Sequence, residues 1–333
     1  MAQTQSILVT GGAGYVGSIL VRRLLEQNYR VVCLDHLRFG GESLIDVWDH
    51  PGFVFHKVDI TDFAAVDRVL DHETLHGVIH LAAIVGDPAS KREPELTHRT
   101  NWDAPVHLLQ RCLDQKVPRF IFASTCSNYG RMTAPDAYVD ESSPLAPVSL
   151  YAELKVAFER HLLGMARRPD FCPTALRFAT VYGLSHRMRF DLTVNEFTKE
   201  LALGKELVVF GEQFWRPYCH VADFSRAMLA VLRAPAERVA HDVFNVGRSD
   251  ENYTKGMLLD LLLGQFPQAR IRRVATKDDP RDYRVRFDKI RERLGFDLSR
   301  TVPDGIREVK QVVELGVITD PEAARYYNIP HTP

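Results

Sequence analysis

Charge of one sign is missing. The 333 residues carry 43 Asp and Glu against 42 Lys and Arg, a formal net charge of −1. Such a balance sets up no bulk field for nucleic acid or an anionic membrane surface, so any phosphate recognition must come from a few placed groups. Cysteine is sparse as well. Cys33, Cys112, Cys126, Cys172 and Cys219 are odd in number and scattered, and no pair has metal-ligand spacing. That pattern argues against a disulfide framework and a metal site, and it suits a reducing, cytoplasmic setting. No apolar run is long enough to span a bilayer, and the opening MAQTQSILVTGG lacks the charged start and long apolar stretch of a signal peptide. Internal repeats and low-complexity linkers are absent too. The expectation is a soluble cytoplasmic protein, one large or two coupled domains, with no metal and no nucleic-acid or membrane partner.

What is present is alternation. The strand-length apolar runs SILVTGG, RVVCLDH, FVFHKVD, GVIHLAA and RFIFAST are separated by amphipathic helical stretches. Strands joined through helices require right-handed crossovers and give a parallel sheet covered on both faces, a doubly wound α/β domain. PTALRFATVYG and DVFNVG read as two further buried strands. The stretch from Phe190 to Tyr218 and the tail after Arg248 are patterned less regularly and predict a smaller C-terminal lobe. The division expected is 1–183 with 220–248 in the sheet domain, and 184–219 with 249–333 in the lobe. The charged stretch KDDPRDYRVRFDKIRERLGF mixes both signs and need not be disordered.

The first strand runs into TGGAGYVGS, where Gly11, Gly14 and Gly17 have the spacing of a phosphate-binding turn that opens a helix. Missing side chains let the backbone approach a pyrophosphate, and free amides at the helix start receive its charge. A glycine triplet alone marks no more than a tight turn. Here a strand precedes it, a helix follows, and Asp35 ends the next strand, as a Rossmann dinucleotide site requires. Tyr15 and Val16 lie inside the turn. A carboxylate at Asp35 accepts the adenosine ribose hydroxyls and repels a 2′-phosphate, favouring NAD over NADP, although Arg38 is of the type that accommodates that phosphate. Asp59 and Ile60, ending the third strand, are placed to meet adenine; a strand-end aspartate is as often a turn cap.

Two further stretches carry chemistry. FASTCSNYG, Phe122 to Gly130, is a buried strand delivering small polar side chains to its carboxyl end. YAELK puts Tyr151 and Lys155 four residues apart, on one helix face. An ammonium beside a phenol favours the phenolate, making tyrosine a usable proton acceptor near neutrality.

Together the glycine pattern, the strand-end hydroxyl followed by YG, and the tyrosine–lysine pair resemble the extended short-chain dehydrogenase/reductase family, specifically its nucleotide-sugar epimerases and dehydratases. HLAA at His80 to Ala83, Asn101 in RTNWDAP, and RPYCHVADFSRA at Arg216 to Ala227 extend the resemblance over nearly the whole chain. It implies a catalytic group of Thr125, Tyr151 and Lys155, with Ser124 the neighbouring alternative to Thr125. It implies NAD contacts at Leu81, Ala82, Ala83, Asn101, Ser124, Tyr151 and Lys155 besides the glycine turn. It also implies a nucleoside-diphosphate sugar as partner and a homodimer through a four-helix bundle.

The implied chemistry is oxidation of a sugar hydroxyl, at C4, by hydride transfer. Dehydratases of the resembling group place an aspartate and a glutamate after the threonine, and decarboxylating relatives keep a glutamate. This chain has Cys126 and Ser127 there, which leaves re-reduction of the ketone: a 4-epimerase, or a ketoreductase if the ketone comes from elsewhere. Cys126 as a proton-exchanging thiol would give C3 or C5 epimerisation; the plainer reading is a buried filler. A non-catalytic NAD-binding scaffold is the reading from a different class. Arg216 and Arg281 match positions that grip the diphosphate, and Val208 and Phe210 in LVVFG match the segment receiving the base. Arg187, Arg189 and Asn195 are candidates to read the sugar. Ala179 stands where relatives commonly carry a diphosphate-contacting asparagine, a departure that bears on the pose of the substrate.

Overall fold

A computed structural model describes residues 4–132, 137–275 and 281–328. The first four residues of the charged stretch that begins at Lys277 fall outside that range. In chain order the strands are β1 (Ser6–Thr10), β2 (Arg30–Asp35), β3 (Phe53–Lys57), β4 (Gly77–His80), β5 (Arg119–Thr125), β6 (Cys172–Phe178), β7 (Thr180–Tyr182), β8 (Leu207–Phe210), β9 (Trp215–His220), β10 (Asp242–Val246), β11 (Asn252–Thr254) and β12 (Ile271–Val274). Seven of them form one sheet in the order β10-β6-β5-β4-β1-β2-β3. Every pairing in it is parallel.

Strand alternation feeds two apolar layers. Ile7 and Val9 of β1 join one layer with Leu20, Val21 and Leu24 from the helix Gly17–Glu26, and with Met228 and Val231 from the helix Val221–Arg233. Leu8 faces the other way. It packs with Val66 and Leu70 of the helix Phe63–Leu70, Leu108 and Leu109 of Ala104–Asp114, and Phe158 and Leu162 of Leu150–Leu163. Helices therefore cover both faces, as a doubly wound Rossmann sheet requires. No helix among the described residues is long and apolar enough to cross a membrane.

Two smaller sheets make the second lobe. β7 pairs parallel with β9, which pairs antiparallel with β11, and β8 pairs with β12. Their side chains share a separate core with helices Thr193–Ala202, Lys255–Gln265 and Val302–Glu314, through residues such as Tyr182, Phe197, Leu259 and Ile306.

The chain departs from the expected layout at two places. PTALRFATVYG is not one strand. Its ladder with β10 ends where the Ala179 amide donates to the Val246 carbonyl at 3.2 Å, and Thr180–Tyr182 then pairs with Tyr218–His220 in the other sheet. Burial on both faces looks alike in either sheet, so no sequence pattern marks the crossing. The tail also divides. Tyr283, Val285, Phe287, Ile290, Phe296 and Leu298 pack into the layer beneath the large sheet rather than into the lobe core, and Lys289 donates to the β10 carbonyl of Val243 at 2.9 Å.

A buried ion pair ties β6 to the helix after β5. The Arg177 Nε lies 3.1 and 3.2 Å from the two Glu159 carboxylate oxygens, and Ser124 Oγ donates to the same carboxylate at 2.8 Å. Both charged side chains are at most 5% exposed. Removing one partner would strand the other charge without solvent. Glu159→Ala is therefore expected to cost about 3–5 kcal/mol of unfolding free energy, measured by urea denaturation; a loss within experimental error of zero would contradict this account.

Candidate active site

The strand order reverses between β1 and β4, and the chain leaves their carboxyl ends in opposite directions, opening a crevice there. Thr10 stitches its floor. Its Oγ1 accepts from the amides of Leu81 and Ala82, each at 3.2 Å, and meets His80 Nδ1 at 2.8 Å. A side chain at Gly11, where φ is +75°, would lie 2.9 Å from the Ala82 nitrogen, and one at Gly17 would lie 2.1 Å from the Gly11 carbonyl oxygen. Gly14 has only the Gly11 oxygen in reach, at 3.2 Å. Two of the glycines thus serve close packing, and the middle one keeps the turn open to approach.

The Asp35 carboxylate sits at the end of β2 beside this turn. It accepts from the amides of Ala13 at 3.0 Å and Leu37 at 2.8 Å. Arg38 is turned away from it and forked onto Glu93, at 2.9 and 3.0 Å. Asp59 accepts from both the amide and the hydroxyl of Thr61, so it caps its own turn, with Ile60 buried next to it. Asn101 lies in a π-helical turn, and its amide group exchanges two 2.9 Å hydrogen bonds with the backbone of Ile84. It braces the loop after β4, which carries Leu81, Ala82 and Ala83.

The strand-end hydroxyls separate by alternation. The Ser124 side chain points to Glu159, as described above. The Thr125 hydroxyl is near enough to the Tyr151 phenol to favour its phenolate, and it accepts from the Ser127 amide at 3.1 Å. Tyr151 is placed by its helix start, where Ser149 is the N-cap and its hydroxyl also accepts from the Ala152 amide. One turn later, Lys155 donates from Nζ to the Ala123 carbonyl at 2.7 Å and lies 5.9 Å from the Tyr151 ring centre. The structure therefore brings Thr125, Tyr151 and Lys155 to one point at the sheet's carboxyl edge.

The electrostatics differ from the simple expectation of an acidified phenol. Burial pushes Tyr151 up to about 12, opposed by the neighbouring Thr125 hydroxyl and reinforced by the Asp87 carboxylate. Burial also brings Lys155 down to about 7. Both shifts have one cause: each charged form is costly alone in a dry site, and phenolate and ammonium offset each other when formed together.

Other expected residues take different places. Cys126 takes the plainer of its two readings: its thiol is 1% exposed, donates to the Arg177 carbonyl oxygen at 3.2 Å and is held far above the usual thiol range by burial, so it fills the core. Asn195 is fully buried. Its amide is used up by Gly183, the Arg189 carbonyl and the Tyr15 hydroxyl, so it braces the glycine turn against the second lobe. Ser127 faces the crevice, with its Oγ 3.4 Å from the Tyr283 hydroxyl. Arg216 stacks over the Tyr283 ring at 5.3 Å, and Arg281 pairs with Asp87 at 3.1 Å. Val208 and Phe210 lie on β8, with Phe210 exposed. Arg189 is forked onto Asp191, both bonds 2.9 Å. Sequence reasoning missed Tyr283 and Asp87, whose other oxygen accepts from Ser149 at 2.7 Å. The only signal for Asp87 was a polar residue shortly after a strand end.

These residues fit a dinucleotide: an open glycine turn at a helix start with a carboxylate beside it. The doubly wound sheet with a tyrosine–lysine pair at its switch point defines the short-chain dehydrogenase/reductase class. Residues 7–247 match the model of the NAD dependent epimerase/dehydratase family, and the chain belongs to that family. The chain is 29% identical over 256 residues to the UDP-glucose 4-epimerase of Lactobacillus helveticus, covering 72% of this chain and 76% of that one. It is 33% identical over 336 residues to the dTDP-glucose 4,6-dehydratase of Neisseria gonorrhoeae, covering 92% and 95%. The crystal structure of UDP-glucose 4-epimerase with UDP-glucose from Thermotoga maritima superposes with a TM-score of 0.83 at 28% identity, covering 94% of this chain and 100% of that one. The cofactor of the family is NAD, in agreement with the reading of Asp35.

Lys155 gives the site a pH signature. Its folded value is about 7, below the ordinary lysine value of about 10.4, so between these limits the unfolded chain binds more protons than the folded one. Stability must then rise with pH across that window, by up to about 1.4 kcal/mol per pH unit from this group. Lys155→Met is expected to flatten that slope. Parallel slopes for the two proteins in urea unfolding between pH 7 and 10 would overturn the assignment.

Proposed function

We propose that the chain is an NAD-dependent 4-epimerase of a nucleoside-diphosphate hexose. The observation that carries this reading is the convergence of Thr125, Tyr151 and Lys155 at the crevice, with no carboxylate directly after Thr125. NAD, when bound, supplies the hydride acceptor and donor. Tyr151 Oη takes the proton of the C4 hydroxyl and later returns it, while the Thr125 hydroxyl holds the same oxygen. Lys155 supplies the positive charge that offsets the phenolate in this dry pocket. Arg216, which lies over the Tyr283 ring, and Arg281 would take the diphosphate, Arg281 exchanging the Asp87 carboxylate for that anion. β8, with Val208 and the exposed Phe210, would receive the base.

Asp87 favours a second reading. It is a carboxylate within electrostatic reach of Tyr151, although it is reached from another loop, and a dehydratase needs an acid at its site. The two readings part on product. Incubating the NAD-loaded protein with a panel of UDP- and dTDP-hexoses, without further cofactor, is expected to give C4 inversion with no net redox change. Loss of water would select the dehydratase, and consumption of stoichiometric reduced cofactor would select a ketoreductase. Tyr151→Phe is expected to lower kcat about 10²–10⁴-fold with little change in KM; undiminished turnover would end the catalytic reading and leave a scaffold.

The helices Ala104–Asp114 and Leu150–Leu163 share one apolar layer on the same sheet face. We infer that they pair with their copies across a two-fold axis as a four-helix bundle. A monomer by sedimentation equilibrium at micromolar concentration would refute this.

A further inference from the structure

Among the described residues, no carboxylate pairs directly with Arg187. It follows β7, is 7% exposed, and its Nε and Nη2 are buried without an acceptor. Its guanidinium lies over the Phe39 ring at 4.1 Å, a stacking that leaves the in-plane N–H fork for a ligand. Leaving charged donors buried and unpaired is costly, and a protein acceptor is the usual remedy. None is offered here. Neighbouring Asp191 is taken by Arg189, and Asp35 by the amides of Ala13 and Leu37. Burial, then the charge of Arg189, brings the guanidinium down to about 10, a cationic site without its anion.

Position says what the anion is. The segment before Arg187 is laced to the glycine turn: Ser185 Oγ donates to the Tyr15 carbonyl at 2.6 Å and meets Ser18 Oγ at 3.0 Å, while the Tyr15 hydroxyl donates to the Gly183 carbonyl. Phe39 lies in the loop that follows Asp35. Arg187 therefore stands between the phosphate turn and the adenosine end of the dinucleotide crevice, rather than among the groups around Tyr151.

We propose that Arg187 is a ligand of the cofactor's diphosphate, supplied from beyond β7 and closing over the anion that the Gly11–Gly17 turn receives from the other side. This rests on the NAD reading above. It assigns the residue a place in cofactor binding instead of sugar recognition, and it makes NAD a link between the two halves of the chain, because the diphosphate is then held by both. The competing source of the same chemistry is a ribose 2′-phosphate, which Asp35 disfavours by charge.

The test is equilibrium binding by isothermal titration calorimetry on nucleotide-stripped protein, with NAD, NADP and adenosine as separate ligands. Arg187→Gln is expected to weaken NAD about 10–100-fold and to leave adenosine unchanged, and Arg187→Lys to lose part of that, since it keeps the charge without the fork. Unaltered adenosine affinity shows that the variant is folded; if Arg187→Gln fails to fold, the Arg187→Lys loss on NAD alone decides. NAD binding equal to wild type in both variants overturns the proposal, as does a loss confined to NADP, which would make Arg187 a 2′-phosphate reader. Wild-type protein that binds no NAD at all would remove the dinucleotide reading itself, a result distinguishable from failure of the arginine.

Discussion

Seven strands that all run the same way put all their carboxyl ends on one edge, and the chemistry of this protein depends on that constraint. A parallel sheet cannot be closed by hairpins, so each strand end must feed a loop and a returning helix. The glycine turn after β1, Asp35 after β2, the bracing loop after β4 and the Thr125 turn after β5 are therefore neighbours despite separations of up to about a hundred residues. The reversal of order at β1 and β4 leaves the gap into which a ligand fits. Side-chain packing then narrows each position, as the contacts at Gly11 and Gly17 show.

Within that frame, dryness sets the behaviour of the reactive groups. Burial raises the phenol of Tyr151 and lowers the ammonium of Lys155, so neither charge is cheap alone and each makes the other affordable. Charge is managed differently a few residues away. Glu159 and Arg177 neutralise each other fully, with Ser124 in attendance, and that pair holds the helix carrying Tyr151 against β6. Arg187 is the contrasting case, a buried cation whose Nε and Nη2 meet no acceptor among the described residues.

The connection between lobes follows the same logic. Tyr15 in the glycine turn, Asn195 in the second lobe and Gly183 between them form one hydrogen-bonded cluster. Tyr283, Ser127 and Arg216 make a second seam on the far side of the crevice, where the late segment of the chain returns beneath the large sheet.

By itself the sequence determined the strand-helix alternation, the parallel sheet, the glycine turn with Asp35, and the tyrosine–lysine spacing, because these are local patterns whose period or separation is set by backbone geometry. Its local pattern alone did not fix which of Ser124 and Thr125 faces the crevice, since that depends on the sheet's orientation. The break of PTALRFATVYG into two sheets, the commitment of Asn195 to bracing and the meeting of Asp87 with Arg281 were decided only by tertiary structure. Each depends on partners distant in sequence, and a side chain's role is fixed by which of those partners has already claimed its hydrogen bonds.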